Sequence, residues 1–524
     1  MNVLFPHRMK QYDEFAINTW GIPSTVLMEN AGRTTYRLMK EHYLPARKRL
    51  AVFCGRGNNG GDGFVIARYA LRDGHDERLL LFGSPSDLRG DAKINMDLYR
   101  SLGGEIVPLA DQAPALAEAT KNCDLIVDAI FGTGLSKEVE GLEMAAIEAI
   151  NGSGKPVVAV DIPSGLDAAR GIPLGVVVNA DRTYTYGYAK FGQLVYPGAA
   201  HVGRLTVVDI SLPSFAETEL GVDAYLIDGP MVSRCLAERA PSAHKGSYGH
   251  AAVIAGSAGK TGAAAMSAEA ALRMGSGLVT LLVPSSLNPI LEAKLTEVMT
   301  YPVEDHGTGF FAEASYDAVY QFVKDKDVIV IGPGLGQEAG TQALVRRLYA
   351  ELDRPFVVDA DGINAFVGHT DLIRARRANA VFTPHPGELA RLLGTTPKEV
   401  NNDRFDVGRA FVERHGVNLA LKGARTLIFG ADGRVFINPT GNAGLAKGGS
   451  GDILTGFIGG LAAQAFALTD AACAGVYLHG YIADSWLEEH TDMDLVAGDL
   501  LSGLSKTIRD LRNGTDRVYV EQSL

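Results

Sequence analysis

The sequence predicts an α/β protein of two domains, each a three-layer α/β/α sandwich. Three observations carry this expectation. Short runs of Val, Ile and Leu recur, each ended by glycine or an acidic residue and followed by a helix-like segment, as in parallel sheets buried on both faces. The runs form two series separated by a polar, proline-containing stretch. Glycine makes up 61 of 524 residues, about 12% against ~7% in average usage, and its clusters fall at run ends with no G-X-Y period. Such clusters make tight strand-to-helix loops, where backbone approaches phosphates.

The first series reads as strands at Arg49–Cys54, Leu79–Phe82, Leu125–Ala129, Val157–Val160, Thr183–Tyr186 and Leu205–Ile210. Leu212–Glu219 then interrupts with Pro, Ser and acidic residues, so domains are expected over 1–213 and 222–524. The second series runs through Ala251–Ala255, Leu278–Val283, Val328–Ile331, Phe356–Val358, Val381–Thr383 and Leu419–Leu421. A hairpin-like pair follows, Thr426–Phe429 and Val435–Ile437, and the chain then reads as helix nearly to its end. The halves share an architecture without a sequence repeat.

Bulk properties narrow the function. A formal net charge of -12 argues against general attraction to nucleic acid or an anionic membrane, so an anionic ligand has to be held by local groups. Cys54, Cys123, Cys235 and Cys473 form no CxxC or Cys/His cluster and read as structural thiols in a reducing compartment. The first residues lack an apolar leader, and the longest apolar stretch, Gly456–Leu468, is broken by Gln464 and is shorter than the ~20 residues that span a bilayer. A cytoplasmic protein is expected.

Strand Leu50–Cys54 runs into Gly55–Gly63, with a helix expected from near Phe64. Gly55, Gly57 and Gly60 satisfy G-x-G-x-x-G, yet the next strand ends in Gly83 and Ser84 where a dinucleotide fold needs an acid for the ribose. The loop offers backbone N–H groups together with Asn58, Asn59 and Asp62, although paired asparagines are also ordinary turn residues. Two further strands end alike, at Asp128 before Gly132–Leu135 and at Asp161–Asp167. Strand ends converge on one crevice in a doubly wound sheet, so the three loops are expected to face one ligand. Asn59, Asp128 and Ser164 supply hard oxygens suited to a weakly held cation, and Asp161 is a candidate acid or base.

Leu27–Gly32, GNNGGDG at Gly57–Gly63, VDAIFGTGL at Val127–Leu135 and DIPSGLDA at Asp161–Ala168 resemble the NAD(P)H-hydrate epimerase family. The resemblance implies a Rossmann-like domain that interconverts the R and S epimers of the C6-hydrated cofactor. It also implies K+ at Asn59, Asp128 and Ser164, and substrate contacts from Asn58, Asn59, Gly60, Gly61, Asp62, Gly132, Thr133, Gly134, Leu135, Ser136, Lys137, Glu138 and Asp161.

In the second half Gly256–Gly262 ends like a P-loop, but Ile254 stands where that template needs its first glycine. Lys260 then reads as a solvated side chain. The stronger feature is Asn442–Asp452, where Gly448–Gly451 free backbone N–H groups at a helix start, an anion site beside Asp452. A carboxylate there either stabilises the helix or serves as the base of phosphoryl transfer. IGPGLG at Ile331–Gly336, TPHPGELARLLG at Thr383–Gly394, LKGARTLI at Leu421–Ile428 and NAGLAKGGSGD at Asn442–Asp452 resemble the ribokinase-like ADP- or ATP-dependent NAD(P)H-hydrate dehydratases. Ala497–Asp499 departs slightly from the usual family sequence there. The resemblance implies that Lys422, Gly423, Ala424, Arg425, Thr426 and Gly451 hold the adenine nucleotide, that Ala263, Gly334, His385 and Asp452 face the hydrated cofactor, and that Asp452 is the base. It further implies Mg2+, phosphorylation of the C6 hydroxyl followed by elimination, and the small-molecule substrates NADHX and NADPHX. A homo-oligomer is expected. On the residues alone His385 is equally a loop residue bonded to backbone. Two other readings stay open: a ribokinase-type vitamin or sugar kinase, and a non-catalytic N-terminal interaction module.

Overall fold

The computed structural model describes residues 1–109, 113–375 and 379–523. The chain separates into two compact units, one of Asn2–Ala224 with Val518–Leu524 and one of Met1 with Tyr225–Arg517. The strands, in chain order, are β1 (Asn2–Leu4), β2 (Arg49–Cys54), β3 (Asp76–Phe82), β4 (Ile106–Leu109), β5 (Leu125–Ala129), β6 (Val157–Val160), β7 (Arg182–Tyr186), β8 (Ala189–Lys190), β9 (Arg204–Val208), β10 (Ala224–Leu226), β11 (His250–Ile254), β12 (Leu278–Pro284), β13 (Met299–Val303), β14 (Val328–Ile331), β15 (Phe356–Val358), β16 (Ala380–Phe382), β17 (Asn418–Leu421), β18 (Leu427–Phe429), β19 (Val435–Ile437) and β20 (Glu521–Ser523).

The N-terminal unit is built on an eight-stranded sheet of order β20-β9-β7-β6-β5-β2-β3-β4, parallel throughout. The period-two side-chain alternation of a strand puts two cores on its faces. Leu50, Val52 and Cys54 pack with the helices Ser24–Tyr43, Asn58–Arg72 and Gly90–Ser101, whereas Ala51 and Phe53 pack with Ala113–Lys121 and Gly141–Asn151. Three layers result.

β20 departs from the expected boundary, which put the chain end with the second domain. It pairs in parallel with β9. The buried Arg182 forms an ion pair with Glu521, whose carboxylate also accepts from Thr206 Oγ1 at 2.8 Å. An almost fully buried guanidinium needs a carboxylate, and this three-residue strand supplies it. Residue 524, the last of the expected second domain, lies outside the described residues.

In the C-terminal unit the order is β13-β12-β11-β14-β15-β16-β17-β18-β19-β10, parallel except where β18 runs against β17 and β19. Register separates the two faces. Val330 lies opposite Val357 and points at the helix Ser450–Ala463, where a Cβ on Gly459 would strike it. Phe356 and Phe382 point the other way, edge-on to Tyr349 of the helix Ala339–Glu351, and Phe382 also meets Phe411 of the helix Arg404–His415. This unit is also a three-layer sandwich. No helix among the described residues is long and apolar enough to cross a membrane.

Candidate functional site

In the first sheet the chain proceeds β2-β3-β4 to one side and β5-β6-β7 to the other, so the strand order reverses between β2 and β5. A crevice opens outside the carboxyl ends of strands at such a point. The structure has a cavity of about 740 Å3 there, lined by Asn58, Asn59, Asp62, Gly132–Lys137 and Asp161, and also by Asp13, Tyr186 and Lys190. Gly60, Gly61 and the exposed Glu138 do not line it. Gly60 is needed for packing instead, because a Cβ there would collide with the Gly55 carbonyl. The helix begins at Asn58 and not near Phe64. Gly57 is its extended N-cap and Gly61 N–H donates to Gly57 O at 3.1 Å, so GNNGGDG forms the first turns of a helix.

Asp161 follows β6 with φ 61, a left-handed conformation uncommon for a residue with a side chain. Its N–H donates to Tyr184 O at 2.8 Å, and its Oδ1 accepts from Lys190 Nζ at 2.6 Å, Thr185 Oγ1 at 3.1 Å and Tyr186 N at 3.1 Å. Lys190 is 1% exposed and also donates to Thr185 Oγ1 and Tyr186 O, both at 2.9 Å. Two more carboxyl groups share this environment. Burial lifts Asp13 to about 6, with Lys190 opposing and Asp161 adding, and burial followed by repulsion from Asp161 and Asp13 pushes Asp62 well above the carboxylate range. Asp161, held by Lys190, thus shares the cavity with Asp62, whose proton is held more firmly by burial and by its acidic neighbours.

The three oxygen residues expected to hold a cation form one buried knot. Asp128 Oδ1 accepts from Ser164 Oγ at 2.6 Å and Oδ2 from Ser164 N at 2.8 Å. Phe131 joins them: its N–H donates to Ser164 Oγ at 2.8 Å and its carbonyl accepts from Asn59 Nδ2 at 3.0 Å. Among the described residues Asn59 Oδ1 has no hydrogen-bond partner, a buried acceptor whose desolvation is uncompensated by them.

The second sheet reverses between β11 and β14. The segments after β14, β15, β16 and β17 carry a connected set of charges. Asp359, fully buried at the end of β15, accepts from Lys422 Nζ at 2.7 Å and Thr383 Oγ1 at 2.7 Å on one oxygen, and from Thr455 Oγ1 at 2.6 Å on the other. Lys422 Nζ lies 3.9 Å from Glu388. Burial opposes its charge, but Asp359 and Glu388 outweigh burial and hold the ammonium protonated. Asp361 accepts from Lys260 Nζ at 3.0 Å and Gly336 N at 2.9 Å, so Lys260 is paired and not merely solvated. Between the two acids Ala360 has φ 50, a strained position.

The helix Ser450–Ala463 starts behind Gly449, whose φ of 95 suits only glycine well. Asp452 lies in its first turn, and burial, then repulsion from Asp359, lifts it to about 6 against the pull of Lys422. The buried His479, lowered to about 4 by burial and therefore neutral, donates from Nε2 to Ser450 O at 2.9 Å and fixes the helix start. Gly451 lies against Lys422 Nζ, and Gly334 against Ala263 and the Lys260 carbonyl. His385 is exposed, and its Nδ1 caps the helix Pro386–Leu393 by accepting from Gly387 N at 3.0 Å and Glu388 N at 3.3 Å. Of the nucleotide set, Gly423 and Ala424 are exposed and Thr426 Oγ1 donates to Gly423 O at 3.1 Å.

Sequence reasoning missed Asp13, Lys190, Asp359, Asp361 and Glu388. Asp359 had a readable signal, an acid directly after an apolar strand, whereas Lys190 sits in a two-residue strand with no run to mark it.

Fold and sites together define a two-site α/β enzyme, with a carboxylate at the carboxyl edge of each sheet. Residues 24–192 match the family model described as YjeF-related protein N-terminus, and 251–506 match that of NAD(P)H-hydrate dehydratase. The chain is 40% identical over 514 residues to the bifunctional NAD(P)H-hydrate repair enzyme Nnr of Moorella thermoacetica, covering 97% of each. It is 36% identical over 530 residues to that of Escherichia coli, covering 99% of this chain and 97% of the relative. Among solved structures it is similar to ADP/ATP-dependent NAD(P)H-hydrate dehydratase from Bacillus subtilis co-crystallized with ATP/Mg2+, at 28% identity and a TM-score of 0.47, over 55% of this chain and 99% of that one. The chain belongs to the family of bifunctional NAD(P)H-hydrate repair enzymes.

Proposed function

We propose that the N-terminal unit interconverts the R and S epimers of NADHX and NADPHX and that the C-terminal unit uses ADP or ATP to dehydrate the S epimer back to NAD(P)H. The observation that carries this reading is Asp452 at about 6 in the first turn of a glycine-led helix, beside the Asp359–Lys422 pair. A base with that titration point is largely ionised at neutral pH yet basic enough to take a hydroxyl proton. Asp452 accepts the proton of the C6 hydroxyl while that oxygen bonds to the terminal phosphorus, the bond from that phosphorus to its bridging oxygen breaks and releases AMP from ADP or ADP from ATP, and the helix N–H groups hold the phosphate charge. Departure of phosphate from C6 with loss of the C5 proton restores the dihydronicotinamide.

Mg2+ in this reading is held mainly through the substrate phosphates, near Asp359 and Glu388, whose carboxylates already pair with Lys422, and the ion would supply screening of phosphate charge. In the other unit Asp161 removes the C6 hydroxyl proton. The N1–C6 bond of the carbinolamine opens, and closure on the other face of the carbonyl inverts C6, with Asp62, whose burial and acidic neighbours favour its protonated form, lining the same cavity to supply and recover the ring-nitrogen proton. K+ suits Asn59, Asp128 and Ser164, and the unpartnered Asn59 Oδ1 supports this assignment. Cytoplasmic placement is supported by the four free cysteines, and homo-oligomer formation belongs to the same reading, testable by sedimentation. The deciding experiment supplies chemically hydrated NADH with ADP or ATP and follows NADH absorbance. Failure with both nucleotides, alongside phosphorylation of a sugar or pyrimidine alcohol, would establish a plain kinase instead.

A further inference from the structure

Arg404 is the first residue of the helix Arg404–His415 and is 9% exposed. Its Nη2 donates to Leu421 O at 3.0 Å and its Nη1 to Ala424 O at 2.9 Å. One guanidinium thus bridges the end of β17 and the middle of the loop Lys422–Thr426. Among the described residues its buried Nε has no partner and only carbonyl oxygens bond the group. Gly423 crosses directly above it with φ 151, and a Cβ there would lie 3.0 Å from Nη2. The loop's own cations are held differently: Lys422 is neutralised by Asp359 at 2.7 Å, and Arg425 Nη1 donates to Pro439 O at 2.8 Å. Burial brings Arg404 down only to about 10, so it carries its charge at neutral pH.

Burying an unpaired cation is costly, and neutral donors could hold two carbonyls equally well. The charge has a use if the loop above it receives an anion, because a field acting through one layer of backbone escapes the screening that weakens surface charges. We propose that Arg404 is a positioning residue for the phosphoryl donor: it sets the curve of Lys422–Thr426 and supplies the buried charge that makes this loop prefer a nucleotide to the neutral nucleoside. The proposal rests on the reading of Lys422–Thr426 as the nucleotide loop.

The test uses the full chain and two probes, ADP and adenosine. Arg404→Gln is expected to weaken ADP binding by about tenfold or more and adenosine by less than about threefold, with dehydration showing a raised KM for nucleotide at little-changed kcat. Epimerisation, which uses the other unit, should keep its wild-type rate, and a calorimetric unfolding transition of the C-terminal unit reports that the variant is folded. Arg404→Lys, which keeps the charge, should restore most of the ADP-over-adenosine preference. Equal weakening of both probes, or unchanged ADP binding, would overturn the proposal. If Arg404→Gln does not fold, the wild type decides: a buried charge keeps the preference within about threefold between ~0.05 and ~0.5 M KCl, and a steep fall overturns it. Hydrogen exchange separates the two layers of inference. ADP should protect the amides of Lys422–Thr426; without protection the loop assignment itself fails, whereas protection with unchanged ADP affinity in Arg404→Gln removes only the role of Arg404.

Discussion

Replacing Asp452 by asparagine separates chemistry from stability, because the two should move in opposite directions. The asparagine keeps the shape but cannot accept the hydroxyl proton, so nucleotide-dependent dehydration should fall by about 10^2 to 10^4, or about 3 to 5 kcal/mol in the barrier. The carboxyl titrates near 6 in the folded chain against 3.8 ordinarily, chiefly through burial, and ionising it in place costs up to about 3 kcal/mol of folding stability. The sign follows from the raised value. Below 3.8 folded and unfolded forms are both protonated and there is no penalty; the penalty grows from pH 4 to pH 6 as only the unfolded form ionises easily, and is complete above 6. Asp452→Asn should therefore raise the melting temperature of the C-terminal unit at pH 8 and leave it nearly unchanged at pH 4. In the wild type the ionised fraction rises from about one tenth at pH 5 to about nine tenths at pH 7, so a rate limited by phosphoryl transfer should climb about ninefold across that range. NADH absorbance from the S epimer measures the rates and calorimetry the stability. Dehydration above a tenth of wild type, or a flat profile from pH 5 to 7, would refute Asp452 as the base.

Asp161→Asn should slow epimerisation by about 10^2 or more while dehydration of the S epimer stays at wild type, followed by chromatography of the two epimers; an unchanged rate would make Asp161 a purely structural partner of Lys190. Exchanging K+ for choline should lower the melting temperature of the N-terminal unit, by about 2.7 kcal/mol of stability for an ion at a hundred times its Kd, and Asn59→Ala should abolish the difference between the two buffers. Glu521→Ala should destabilise the N-terminal unit by about 1 to 3 kcal/mol, since it strands the buried Arg182, and denaturant unfolding that left this unit unaffected would show β20 to be incidental.

What the sequence determined by itself was local. Apolar runs located the central strands of both sheets to within a few residues, because a strand buried on both faces must be apolar throughout, and glycine clusters located the loops at the two reversal points. The strands it hid are mostly short or lie at sheet edges. β4 and β13 contain Pro108 and Pro302, tolerated only where one side of the strand needs no ladder, and β20 is the polar Glu-Gln-Ser, recognisable as a strand only once β9 lies beside it. The motifs named Asp161 and Asp452 and the oxygen set Asn59, Asp128 and Ser164, but not what governs them. Lys190 reaches Asp161 from 29 residues away, Lys422 reaches Asp359 from 63 and Thr455 reaches it from 96. Tertiary structure alone decided these pairings, since burial and charge neighbours are properties of the folded environment and leave no period along the chain.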